Sequence, residues 1–402
     1  MDEQVRQEFV QRATEFLEAN ATRRVEKSEE FVWGEGEGRV RLMSGEGDPD
    51  ARIAAAKAWR AKAFDAGVAW PGGPVEYGGG GLDPELDHLY RELEADFEVP
   101  DQGMFGVAWD MVGPAVAVHG SEDLKRRFLG PIYRGDLLCS QLLSEPEAGS
   151  DLAGLKTRAV KDGDEWVVNG QKVWNSYAHK AQIGQLMART DPDVPKHQGL
   201  TMFLLPMDTP GVDVRPLKQM TGDAEFNEVF LTDVRVPDAN RVGEPGSGWR
   251  AVLTTLMSER ASVGSGAASK AVSPVRMLTE LAKHVGATDD PLVRQQLAEV
   301  HTVDFLIRKV GQRGDDLRAA TGAERGAEGS ILKLLGSKQN FRLAALAAHL
   351  LGPKFTADTG EWGTYTWAQF LTGAPAMRIA GGTDEIQHNI LGDRVLGLPR
   401  EP

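Results

Sequence analysis

The stretch TRAVKDGDEWVVNGQKVWNS, residues 157–176, decides what kind of fold this chain has. Its β-branched and aromatic runs are broken by Asp162-Gly163 and Asn169-Gly170, dipeptides favoured at hairpin turns because they accept a left-handed backbone. Beyond it QIGQLMART, GLTMFLLPM, VDVRPL and NEVFLTDVRVP continue as strands to about residue 237. Before residue 137 the texture is helical: Phe9, Ala13, Phe16 and Leu17 share one face, and Trp59, Ala63 and Ala66 share another. After residue 240 helical spacing returns in the stripe Trp249, Val252, Leu253, Leu256 and Met257. Further helices are predicted at about 291–319, 328–351 and 383–396. The expected fold is α+β and mostly α. It comprises a helical domain over 1–136, a small β-barrel-like domain over 137–240 and a C-terminal four-helix bundle over 241–402. Between the first helices, GEGEGRVRLMSGEGDPD (34–50) reads as a loop or lid.

Composition narrows the function. Lys and Arg number 45 against 59 Asp and Glu, a net charge of −14, which argues against a nucleic-acid or anionic-membrane surface. The single cysteine, Cys139, excludes an intrachain disulfide and a cysteine-rich metal site, and is expected to pack in a strand. No metal site is expected. The first residues, MDEQVRQEFVQRATEFLEAN, are acidic and amphipathic, unlike a signal peptide, and the expectation is a cytoplasmic protein without a membrane span.

Three segments point to a ligand. LLSEPEAGSDLAG (142–154) combines Leu143, Ser144, Gly149 and Ser150 at the start of the β domain, where hydroxyls and backbone N–H groups can bind a flavin edge or a pyrophosphate. The same residues also read as a surface loop with a Ser-Asp helix cap. NGQKVWNS (169–176) sets Trp174 and Ser176 at the end of a hairpin, and Trp174 reads either as a stacking platform or as a core tryptophan. MRIAGGTDEIQ (377–387) joins two adjacent glycines, which allow close approach of a ligand to the backbone, to an acidic helix start.

In order, SEPEAGSDLAGLKTRA, NGQKVWNS, SERASVG and GGTDEIQHNILGDRVLGLPRE resemble the acyl-CoA dehydrogenase family, over nearly the whole chain and in the same helix–β–helix order. The resemblance implies an enzyme holding FAD between its β domain and C-terminal helices. A carboxylate takes the α-proton of an acyl-CoA thioester, the β-hydrogen leaves as hydride to flavin N5, and a trans-2-enoyl-CoA results. It further implies that Leu143, Ser144, Gly149 and Ser150 line the flavin and thioester, that Trp174 and Ser176 flank the ring, and that Thr383 and Glu385 touch it from the C-terminal turn. Ser150, Arg260 and Gly382 are implied on the substrate side, and an electron-transfer flavoprotein as the electron acceptor.

The chain departs from the family at the base. Many members carry the carboxylate immediately before Gly-Thr, where this chain has Gly381. A subset places a glutamate before an arginine on the first long helix of the C-terminal domain, and that position here is Glu259, followed by Arg260. Glu259 is therefore the expected base, with its pKa raised by burial, and the Gly381 N–H the expected donor to the thioester oxygen. Asp384, Glu385 and Glu147 are rival carboxylates, the first two more simply first-turn acids favoured by the helix dipole.

A second departure concerns partners. The family completes its FAD site with an Arg-x-x-Phe-Gly segment and a Gln-x-x-Gly-Gly turn from a neighbouring subunit. Here the first reads ELAKHVGATDDPLVRQQ, without the arginine, and the second reads AHLLGPKF, with His349 and Pro353 in place of the glutamine and last glycine. The expectations are a homo-oligomer, dimer or tetramer, with substitute contacts from Arg276, His349 or Gln295, or a heteromer with a second dehydrogenase-like subunit. Alternatives to a dehydrogenase are a non-catalytic or partner-dependent subunit, favoured by Gly381, and a flavin monooxygenase or oxidase on the same fold.

Overall fold

The computed structural model of the protein describes residues 2–24, 33–35, 40, 42, 47–265, 273–321 and 327–399, without the side chains of 259–265, 318, 319 and 327. Most of the 34–50 loop named above lies outside the described residues. The chain divides into two compact units, one drawn from 1–24 and 46–259 and the other from 25–45 and 260–402.

The first unit is built on an eight-stranded sheet. Its strands are β3 (Cys139–Leu142), β4 (Arg158–Asp162), β5 (Glu165–Lys172), β6 (Ile183–Arg189), β7 (Leu200–Pro206), β8 (Val212–Pro216), β9 (Asn227–Pro237) and β10 (Arg241–Val242). They run in the order β10-β7-β6-β4-β5-β9-β8, with β3 pairing in parallel beside β6. Cys139 is buried in β3 as a small apolar residue. The β4–β5 turn falls at Gly163, whose φ of 63° suits a residue without Cβ. Asn169-Gly170 is not a turn. It lies inside β5 at a bulge against β9, where the Asn169 amide donates to Asp233 Oδ1 at 3.0 Å and accepts from the Asp233 N–H at 2.9 Å. A close backbone approach explains the glycine: a Cβ at Gly170 would lie 2.3 Å from Thr157 Oγ1.

Strand β7 is buried on both faces, which is why its sequence is a continuous apolar run. Leu200, Met202 and Leu204 enter a core shared with the N-terminal helices, while Phe203 and Leu205 enter a second with Trp166, Val168 and Leu231. Those helices are α1 (Glu3–Asn20), α2 (Pro49–Asp65), α3 (Glu85–Glu94), α4 (Gly113–His119) and α5 (Glu122–Arg134). A short ladder, β1 (Thr22–Arg23) with β2 (Phe97–Glu98), ties α1 to α3. Phe9, Ala13 and Leu17 of α1 are buried as the spacing predicts, and Phe16 tilts against Trp59 at 5.6 Å. Ala66 lies past the end of α2 and is exposed; the buried face of α2 is Ala56, Trp59, Arg60 and Ala63.

Helix α6 (Gly248–Ser265) packs on this unit through Ala251, Val252 and Thr255, with Trp249 and Leu256 beside them. The apolar stripe ran one position too far, because Met257 is 47% exposed. Its true inward face includes a polar residue: Gln185 Nε2 of β6 donates to Thr255 Oγ1 at 2.9 Å, both side chains fully buried.

The second unit contains α7 (Pro274–His284), α8 (Pro291–Thr321), α9 (Ala327–Leu351), α10 (Thr366–Ile379) and α11 (Asp384–Ile390). Leu278, Leu281, Val300, Leu343, Ala347, Trp367 and Phe370 form its core. Val40 joins this core, its N–H donating to Thr366 Oγ1 at 2.6 Å and its carbonyl accepting from the same hydroxyl. No helix among the described residues is long and apolar enough to cross a membrane.

The Gln185–Thr255 bond yields a stability prediction. Thr255→Val preserves shape but leaves the buried Gln185 amide, whose Oε1 already lacks a partner, with only the weak acceptor Met202 Sδ at 3.3 Å. Urea unfolding is expected to show a loss of about 1–3 kcal/mol, and a loss near zero would mean that the bond contributes nothing.

Candidate functional site

In the first unit the two predicted segments form one wall. Leu143 follows directly on β3 and is 7% exposed, Ser144 is half-buried, and Gly149 and Ser150 reach solvent. Trp174 follows on β5 in a left-handed conformation, φ 63°, and is 62% exposed. This settles the open question about that residue: it is not a core tryptophan. A bulky residue at positive φ costs of order 1–3 kcal/mol and persists only where its surroundings hold it. The holding groups are explicit. The Asn175 amide donates to the Gln141 carbonyl at 2.7 Å, the Asn227 amide to the Asn175 carbonyl at 2.8 Å, and Ser140 Oγ to the Ser176 carbonyl at 2.8 Å. The indole itself meets Phe226 edge-on at 6.2 Å.

The loop from 143 to 157 is held by a residue that sequence reading treated as part of a surface motif. Glu145 is 8% exposed and accepts from the backbone N–H groups of Lys156 at 2.6 Å and Thr157 at 2.9 Å, and from Lys172 Nζ at 2.8 Å. Lys172 is fully buried and also donates to the Leu143 carbonyl at 3.0 Å. Burial pulls the Lys172 ammonium down to about 8 against the pull of Glu145. Burial alone would raise the Glu145 carboxyl, but Lys172 and the two N–H donors outweigh it and leave the group below its usual range. A Ser-Asp helix cap is not formed: Asp151 makes no capping bond and pairs with Lys196 at 2.8 Å. Glu147 is an exposed partner of Lys156, which removes its claim as a buried base.

In the second unit the Gly-Gly-Thr turn has φ of 67° at Gly381 and 90° at Gly382. Glycine at 381 therefore answers a backbone demand. Gln387 Nε2 donates to the Gly381 carbonyl at 2.9 Å, and a Cβ on Gly382 would lie 2.8 Å from that nitrogen. Thr383 caps α11, its hydroxyl accepting from the Ile386 N–H at 3.2 Å. Asp384 is more than a dipole-favoured first-turn acid. It is 2% exposed and accepts from Arg378 Nε at 2.7 Å, Ser337 Oγ at 2.9 Å and Lys333 Nζ at 3.0 Å. Burial opposes its charge, and these three donors overcome that and hold the carboxyl below its usual range. Glu385 is exposed, held by its own backbone N–H and by Thr383, and lines a surface groove of about 300 Å³ with Phe341, Pro375, Arg378, Ile379 and Thr383.

Glu259 and Arg260 fall within α6, and their side chains lie outside the described residues. Lys172, Glu145, Gln185, Gln387 and Lys333 escaped sequence reading because lysines, glutamates and glutamines at those spacings look like solvated surface. An exposed indole at positive φ beside hydroxyls suits a planar heteroaromatic ligand, and the same wall holds two buried polar atoms without partners, Gln141 Nε2 and Asn175 Oδ1. A donor and an acceptor of this kind fit the mixed edge of a flavin ring.

Comparison with known proteins agrees. Domain models of the acyl-CoA dehydrogenase N-terminal, middle and C-terminal domains match residues 39–136, 140–234 and 246–396. Acyl-CoA dehydrogenase IpdE1 of Mycobacterium tuberculosis is 39% identical over 347 residues, covering 86% of this chain and 88% of that protein. Among solved structures, the ChsE4-ChsE5 complex from Mycobacterium tuberculosis aligns with a TM-score of 0.71 at 31% identity, over 88% of this chain and 94% of that one. The Tcur3481-Tcur3483 steroid ACAD aligns with a TM-score of 0.73 at 26% identity, over 88% of this chain and 93% of that one. The chain belongs to the acyl-CoA dehydrogenase family of flavin-dependent oxidoreductases.

Proposed function

We propose that the protein is an FAD-dependent acyl-CoA dehydrogenase that converts an acyl-CoA thioester to its trans-2-enoyl-CoA and passes the electrons to an electron-transfer flavoprotein. The residues assigned to the cofactor are Leu143, Ser144, Gly149, Ser150, Trp174, Ser176, Thr383 and Glu385. Bound FAD supplies the two-electron acceptor that the β-hydrogen requires. Glu259 removes the α-proton onto its carboxylate, and the Gly381 N–H donates to the thioester oxygen as negative charge develops there. Arg260, Ser150 and Gly382 meet the CoA thioester.

The observation that carries this reading is the Trp174 wall, an exposed indole kept in a costly backbone conformation by three surrounding polar side chains. The Glu259 assignment draws support from helix α6: Thr255, one turn earlier, lies on the inward face of the helix, bonded to Gln185. The rival carboxylates are engaged elsewhere, Glu147 with Lys156 at the surface, Asp384 with three donors, and Glu385 with its own backbone N–H and Thr383.

The proposed substrate is the CoA thioester of a bulky, ring-containing acyl group, because the chain is 26% identical to a protein described as a steroid ACAD. The proposed assembly is a heteromer. Two solved structures similar to this chain carry two protein names each, and His349, at the altered position, is engaged within its own chain by Gln296 at 3.1 Å.

Two measurements test this. Glu259→Gln is expected to lower kcat by about 10²–10⁴-fold while leaving FAD binding intact; unchanged turnover would move the base elsewhere. The visible spectrum of the chain purified alone is expected to show substoichiometric flavin, rising to one per chain when a second dehydrogenase-like subunit is co-expressed. A full load in the isolated chain would establish the homo-oligomer instead.

A further inference from the structure

Lys172 is the last residue of β5, two positions before Trp174, and its side chain turns inward, fully buried. Its three-donor head meets the Leu143 carbonyl and Glu145 Oε1, both on the loop that begins at β3. The adjacent backbone adds a further link, Val173 N–H to the Ser144 carbonyl at 3.0 Å. Glu145 in turn grips the far end of the same loop through the N–H groups of Lys156 and Thr157. One buried charge pair thus fastens three points: the start of the 143–157 loop, its end, and the strand that delivers Trp174.

We propose that Lys172 is a positioning residue for the cofactor, its ammonium, held by Glu145, fixing the Ser144–Ser150 loop against the Trp174 turn so that both meet the flavin in one geometry. This rests on the reading that these segments hold FAD. Lys172 touches neither flavin nor substrate in this account; it acts through Leu143, Glu145 and Trp174. A purely structural pair would behave differently, since a buried ion pair replaced by a neutral pair of similar shape is often neutral for stability.

The test uses that difference. Lys172→Met alone leaves a buried carboxylate without its partner, a change that endangers folding. The double variant Lys172→Met/Glu145→Gln removes both charges and keeps an acceptor for one of the two N–H groups. It is compared with wild type, in whichever assembly carries full flavin, and with Phe203→Leu, a control of the opposite core matched for thermal midpoint. In flavin-free protein, amide exchange at 144–151 and 173–177 is expected to accelerate in the double variant and not in the control. The Kd for FAD is expected to rise by at least about tenfold, the scale seen when outer partners of a bound metal are removed, with an altered visible band of the flavin that remains bound. Faster exchange with an unchanged Kd and spectrum would overturn the positioning role, as would a weakened Kd without any change in exchange, or a control that loses flavin equally. A wild-type protein that takes up no FAD in any assembly would overturn the cofactor reading itself, and this inference with it, while its exchange data would still report whether the pair couples the two segments.

Discussion

Lys172 and Glu145 carry opposite charges into the protein interior, and the cost of separating them there joins stretches of chain 27 residues apart in sequence. Breaking such a pair by removing one partner costs about 3–5 kcal/mol, because the remaining charge is left buried and alone. The placement of the loop in the first unit's candidate wall follows from that constraint. The loop cannot drift from β3, since Leu143 and Glu145 are both held. The Trp174 turn cannot relax to an ordinary backbone, since the Asn175 amide ties it to the Gln141 carbonyl and Asn227 and Ser140 hold its own carbonyls. Strain at the indole is thereby maintained by a network of neighbours and not by the local sequence.

The second unit solves a similar problem with different chemistry. Two consecutive left-handed glycines would be a loose hinge in isolation, because glycine gives up more conformational freedom on folding than any other residue. Here Gln387 reaches back to the Gly381 carbonyl, and Asp384 draws Lys333, Ser337 and Arg378 toward the start of α11. Such a carboxylate is a structural hub, poorly suited to proton abstraction, because three donors occupy most of its about four lone-pair sites and hold it below its usual range. Gly381 itself answers a backbone demand, since its φ of 67° lies where a side chain is rarely tolerated.

How far these features could be read in advance depended on the distance over which their causes act. Periodicity found the strands β6 to β9 and the long helices because burial of a face is written into neighbouring residues. It failed at Met257 and Ala66, where helix ends and an inward threonine broke the stripe. The Asn169-Gly170 pair was misread as a turn because the same dipeptide serves a bulge, and only the partner strand β9 distinguishes the two. Ligand segments were visible as motifs, yet the residues that hold them were not. Lys172 and Glu145 lie far apart in the chain, and nothing local separates a buried ion pair from two solvated charges.

By itself, then, the amino-acid sequence determined the helix–sheet–helix order and the family, and it singled out the segments proposed to face a ligand, since these depend on local patterning and on motif order. The tertiary structure decided what keeps those segments in place: that Trp174 is exposed and strained, that Asp384 is a buried hub, and that Lys172 and Glu145 are paired in the interior. These are outcomes of burial, and burial is set by which distant residues share a space, a quantity no short stretch of chain contains.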